Sequence, residues 1–193
     1  ISTAGDVSTS ADLIRYVSAT SLTGGVALSS GVGAGNIEFQ SSVDGNSTVG
    51  ITADTGDVLF SGLVGDTTPL GAITISSAAN VTGNGIRAAS FVQTAGSGTT
   101  TLNSGIFGTV PTPQALGTSA VAGVSINADT IAINHRIDTS AAGPVSLTAT
   151  TGSLTIVANG DIFADGAVTL TGAGGISTAG DVSTSADLIR YVS

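Results

Sequence analysis

The sequence predicts an all-β chain wound as a β-solenoid, and three observations predict it: the residue alphabet, a strand rhythm with a constant coil length, and one long exact repeat. The alphabet comes first. The chain has 193 residues, 41% of them hydrophobic but only 9% charged and 4% aromatic, with 28 glycines. It contains no Cys, Met, Trp or Lys, and its only glutamate is Glu38. Long polar side chains that favour helices are therefore nearly missing, while Val, Ile and Thr suit strands and Gly, Asn, Asp and Ser suit tight turns. A mean hydropathy of +0.46 makes disorder a poor fit.

The rhythm is that of short strands. Residues alternate apolar and polar at Val26–Leu28, Ile37–Phe39, Ile51–Ala53, Val58–Phe60 and Ile73–Ile75, and again at Val124–Ile126, Ile131–Ile133, Val145–Leu147, Leu154–Ile156 and Val168–Leu170. Alternation is the period of two of a strand. Anchors recur at 37 and 58, 51 and 73, 124 and 145, and 145 and 168, which predicts coils of about 20–25 residues. Turn signals stand between them at Asp44-Gly45, Gly56-Asp57, Gly83-Asn84 and Gly174-Gly175. Inward positions take Val, Ile, Leu and Ala, and outward positions take Ser, Thr and Asn. A β-sandwich of regular hairpins is the competing fold, since it also uses short strands and Gly turns.

The exact repeat sets the domain organisation. Residues 1–18 and 176–193 are both ISTAGDVSTSADLIRYVS, offset by 176 − 1 = 175 residues. Residues 1–175 read as one full solenoid unit and 176–193 as the start of the next identical copy. At about 22 residues per coil, a unit makes about eight coils and a rod of roughly 38–39 Å. Two stretches break the rhythm. Ser104–Ala120, with Pro111 and Pro113, is expected to loop out of the rod, where a solenoid carries its specific contacts. Ser10–Thr20 could open a helix by its capping residues, but within a solenoid it reads as a strand with Arg15 turned outward.

Coils such as Gly71–Ser77, Ser97–Asn103 and Ala149–Ile156, with Asn159-Gly160-Asp161-Ile162 and Gly174–Thr178, resemble those of filamentous haemagglutinin-type exoproteins. The resemblance is one of style over most of the chain, without a single diagnostic motif. It implies a right-handed parallel β-helix and a very large secreted bacterial protein. Such proteins serve at the cell surface in adhesion, biofilm matrix and contact between cells.

Charge excludes several functions. Four Arg and no Lys oppose 13 acidic residues, for a net charge of −9. No cationic stripe can be assembled for nucleic acid or an anionic membrane surface, and no apolar run is long enough to span a bilayer. Without Cys there is no disulfide, thiolate metal site or thiol nucleophile. His135, Arg136 and Asp138 form the one charged cluster. As strand residues, Arg136 and Asp138 would share a face, opposite His135 and Ile137. A base beside an Arg clamp is the catalytic reading. A surface ion pair beside a partly exposed imidazole is the favoured one, because too few carboxylates and cations are present to build a lyase or glycosidase groove.

Gly-Asp pairs at 5–6, 56–57, 160–161 and 180–181 suggest calcium, but the strict succession of calcium-binding rolls is missing. They read instead as corners in which Gly supplies a positive φ and Asp caps backbone amides. Gly31–Gly35 lacks the helix and Lys of a phosphate loop. No cofactor is expected, with calcium the remote alternative. The sequons at Asn46 and Asn80 are frequent accidents in a Thr-rich chain. The first functional expectation is therefore a non-enzymatic structural repeat of an extracellular fibre, stacking on itself head to tail. The alternative is an adhesin module that binds surface glycans, with Pro111, Pro113, His135, Arg136 and Asp138 as candidates for ligand or lateral contact. A polysaccharide-active enzyme is a remote third.

Overall fold

The computed structural model describes the backbone of all residues except 108 and 109, and the side chains of all except 106–112. It is a β-solenoid in which three strands make a turn and every turn stacks in parallel on the next. The first face carries β1 (Ser2–Thr3), β4 (Thr20–Leu22), β7 (Val43–Asp44), a single bridge at Val64, the start of β12 (Ile86–Gln93), β16 (Leu116–Thr118), β19 (Ile137–Thr139), β22 (Ile162–Ala164) and β25 (Val182–Thr184). The second carries β2 (Val7–Ser8), β5 (Val26–Ser29), β8 (Val49–Thr52), β10 (Leu70–Ser77), the end of β12, β17 (Val124–Ala128), β20 (Val145–Ala149), β23 (Val168–Gly172) and β26 (Ile189–Val192). The third carries β3 (Ile14–Tyr16), β6 (Ile37–Phe39), β9 (Val58–Phe60), β11 (Val81–Asn84), β13 (Thr99–Asn103), β18 (Thr130–Ile133), β21 (Leu154–Ile156) and β24 (Ile176–Thr178). The parallel ladders exclude the sandwich, whose hairpins would pair strands antiparallel.

Register explains the core. Each turn must place a like-sized apolar side chain above the last, because stacked strands lie about 4.7–4.9 Å apart and leave no room for a change of depth. On the second face Val26, Val49, Ile73, Phe91, Val124, Val145 and Val168 form one inward column. On the third, Ile14, Ile37, Val58 and Val81 form another. Beside it the rings of Tyr16, Phe39 and Phe60 stack nearly parallel, with centroids 4.9 and 5.4 Å apart. The expected spacings 37–58, 124–145 and 145–168 are actual register pairs. The 51–73 spacing is not: Ile73 lies opposite Val49, and Ile75 lies opposite Ile51. Alternation alone cannot tell those two registers apart, because they differ by two residues.

Several local expectations change. Gly83-Asn84 is no turn but the end of β11. Gly83 continues the column below Phe60, where an added Cβ would come 2.8 Å from Ile86 Cδ1. The Gly-Asp corners do not use a positive φ at glycine; the positive-φ glycines lie elsewhere, as at Gly45 and Gly175. Crowding between turns is the reason instead: a Cβ on Gly56 would sit 2.1 Å from the carbonyl oxygen of Gly35. Within Ser10–Thr20 the strand that carries Arg15 is only Ile14–Tyr16, preceded by a bend with Ala11 at φ 64°, and Thr20 already opens β4. Arg15 does point outward, where its Nε lies 2.8 Å from Glu38 Oε2 of the next turn.

The excursion is shorter and more regular than expected. Two strands, β14 (Gly105–Phe107) and β15 (Val110–Gln114), pair antiparallel, and β16 then rejoins the first face at Leu116. Proline is tolerated there because a strand at the edge of this pair has no ladder on its outer side. The insertion lengthens one turn: Thr100 pairs with Ile131, 31 residues on, against 19 from Val81 to Thr100.

Candidate functional site

The side chains with the most chemistry gather on the outside of the first face, below the β14–β15 pair. Ile137 is fully buried, so the pleat turns its neighbours Arg136 and Asp138 outward. Arg136 Nε donates to Asp138 Oδ1 at 2.7 Å, and Nη2 donates to the same oxygen. The other carboxylate oxygen, Oδ2, accepts from Gln114 Nε2 at the end of β15. The Arg136 guanidinium also lies over the Phe163 ring, 4.3 Å from its centroid, one turn further along. Such a cation–π contact adds about 0.5–1 kcal/mol at an exposed site and fixes the plane of the guanidinium.

The cluster divides two shallow grooves that run along the rod. One, of about 220 Å³, is lined by Pro69, Arg87, Gln114, Gly117 and Asp138. The other, of about 430 Å³, is lined by Asp138, Ser140, Phe163, Asp165 and Ser183. Gly117, on the strand between Arg87 and Asp138, leaves the floor of the first groove open. The resulting strip offers a guanidinium, an amide, a carboxylate, hydroxyls and a half-exposed aromatic ring. Together these groups can donate and accept hydrogen bonds and present a ring face along the rod axis.

His135 is not in the strand, so it does not share the inner face with Ile137. It stands at the preceding corner, where its Nδ1 accepts the backbone N–H of Arg136 at 2.9 Å. The Asp138 carboxylate is taken up by Arg136 and Gln114 rather than by the imidazole. Pro113 is half-buried beside Gln114, while the Pro111 side chain lies outside the described residues. The structure thus joins Arg136 and Asp138, leaves His135 at the corner, and adds Gln114 and Phe163. A signal for those two was present: they stand 24 residues before and 25 after Asp138, one coil length each way.

Corner carboxylates serve the backbone of neighbouring turns. Asp6, Asp44, Asp54, Asp57, Asp161 and Asp165 each accept a main-chain N–H from an adjacent turn, at 2.7–3.0 Å in the closest contacts. Amide side chains form a further ladder missed from sequence: Asn134 donates to Asn103, Asn103 to Asn84, and Asn84 to the Ser61 carbonyl. Among the described residues, no three His, Asp or Glu side chains come together as a metal site would require. No family model, curated protein or solved structure matches the chain.

Proposed function

We propose that the chain is a repeat unit of a giant fibrous protein, in which copies stack into a long β-solenoid filament at a cell surface. One observation carries the reading. The same 18-residue segment is folded as a solenoid turn at both ends of the stack, with the same residues facing inward. Ile14 and Tyr16 point in against Ile37 and Phe39, and Ile189 and Tyr191 point in against Val168 and Leu170. Neither end turn is a polar cap of the kind that closes a solenoid. The role is structural and non-catalytic, and the extracellular setting follows from the resemblance to haemagglutinin-type exoproteins. The test is a chain of three tandem copies, oriented for fibre diffraction and imaged by electron microscopy. Rods with a meridional reflection near about 4.8 Å are expected. A closed globular oligomer, or a fibre without that reflection, overturns the reading.

The strip around Arg136, Asp138 and Phe163 favours a second reading, an adhesin face for surface glycans. Its test is glycan-array binding by the intact chain, with Phe163→Ala expected to abolish any signal.

A further inference from the structure

The two copies of the repeated segment do not occupy the same faces. In residues 1–18 the successive strands lie on the first, second and third faces, at Ser2–Thr3, Val7–Ser8 and Ile14–Tyr16. In residues 176–193 the same strands lie on the third, first and second, at Ile176–Thr178, Val182–Thr184 and Ile189–Val192. The segment keeps its local geometry in both places. Thr9 Oγ1 donates to the Asp12 carbonyl at 2.8 Å, and its counterpart Thr184 Oγ1 donates to the Asp187 carbonyl at 2.8 Å. The first copy starts on turn one, face one, and the second starts on turn eight, face three. The 175-residue period is therefore seven and two-thirds turns, which agrees with the expected count of about eight coils but is not a whole number.

We propose that successive copies in the fibre are rotated by a third of a turn, so that each surface feature is displayed on three sides and returns to its starting side every third copy. This rests on the filament reading given above. The partner is a second copy of this chain, docked on the turn formed by 182–193 through its own residues 19–60. The docking surface is the one that residues 1–18 already use within the chain. Ile14 is 5% exposed under its neighbouring turn, whereas its counterpart Ile189 is 36% exposed. Arg190 and Tyr191 receive Glu38 and Phe39 of the following copy, as Arg15 receives Glu38 in an ion pair and Tyr16 receives Phe39 in a ring stack. Gly5 has nothing within 4 Å, yet a Cβ on its counterpart Gly180 would lie 2.9 Å from the Val157 carbonyl oxygen. The glycine is needed only where a turn precedes it. The axial rise is about 36–38 Å per copy, and the true repeat is about 110 Å.

The experiment uses a chain in which residues 19–193 are appended twice after Ser193. Because the chain has no cysteine, Val32→Cys in every copy gives one gold-labelled site per copy on a 90% exposed residue. A single-copy chain with Val32→Cys and Thr151→Cys, two sites on the same edge five turns apart, measures any smooth twist to subtract. Labels stepping about 120° around the rod, one per copy, are expected, with oriented fibres giving a layer line near about 110 Å. Labels on one edge, with no spacing longer than one copy, overturn the third-turn rotation while leaving the filament intact. Absence of rods instead removes the filament reading itself. Pairing Arg190→Cys with Glu38→Cys of the appended copy checks the register: a disulfide is expected on oxidation, and none forms if another segment docks there.

Discussion

At the scale of single residues, the fold is governed by how little space separates one turn from the next. A Cβ on Gly56 meets backbone, which cannot move aside, whereas one on Gly50 in β8 meets nothing within 4 Å. Gly56→Ala should therefore cost about 1–3 kcal/mol in denaturant melts, and Gly50→Ala should be neutral or stabilising by about 0.5 kcal/mol. Equal effects would show that crowding is not the reason for glycine at the corner. Tyr16 ends the aromatic column, and burial pushes its phenol above the ordinary 10.0. The folded state then holds the proton over a range in which the unfolded chain has lost it. Stability from this group is complete below pH 10 and falls as pH rises beyond it. Melting temperatures of the parent and of Tyr16→Phe should diverge only above about pH 10, the variant falling less steeply. Parallel curves would remove Tyr16 as the cause.

At the scale of elements, a hydrogen-bonded polar pair interrupts two of the apolar columns. Gln93 of β12 and Thr100 of β13 are both buried, and the Thr100 hydroxyl donates to Gln93 Oε1 at 2.7 Å. Gln93 Nε2 has no partner among the described residues. Leaving a buried donor unpaired costs about 1–3 kcal/mol, so Thr100→Val alone, which orphans the acceptor too, should destabilise by about 1–2 kcal/mol. Adding Gln93→Leu should reverse the loss and leave the double variant as stable as the parent or more so; a merely additive loss would contradict this. Nothing in the sequence marks this pair, because an alternating strand reads Gln93 as outward. The bulk of the fold was legible, since strand type and coil length follow from local alternation and turn residues. Register was less so: Ile51 could face Ile73 or Ile75 without changing the inward pattern. The site was half legible. Arg136 and Asp138 announce themselves as neighbours, whereas Gln114 and Phe163 reach them only through stacking of turns.

At the scale of the whole molecule, stability is a sum over stacked turns, and two predictions follow from what lies between them. The corner carboxylates are occupied by backbone N–H groups such as those of Asn80 on Asp57 and Asp181 on Asp161. Excess EDTA should leave the melting temperature unchanged, whereas a structural calcium at about 100–1,000 times its dissociation constant would show as a fall of about 5–15 °C. Position in the stack also decides the fate of identical residues. The Ile14 amide donates to the Asn36 carbonyl of the next turn, at 2.9 Å. In β26 the Leu188 carbonyl faces β23, accepting from Val168, so by the alternation of a parallel strand the Ile189 amide faces away from it. Conversely, the Ala179 amide donates to the Ile156 carbonyl at 2.9 Å, while Ala4 has no preceding turn in the chain. Native-state hydrogen exchange should thus find Ile14 slow and Ile189 fast, and Ala179 slow and Ala4 fast, although each pair shares one sequence context. Sequence sets the intrinsic exchange rate equally within a pair, so the difference measures the neighbouring turn alone. In the three-copy chain the internal counterparts of all four amides should become slow. Equal rates within a pair in the single chain would mean that the end turns do not stack as described.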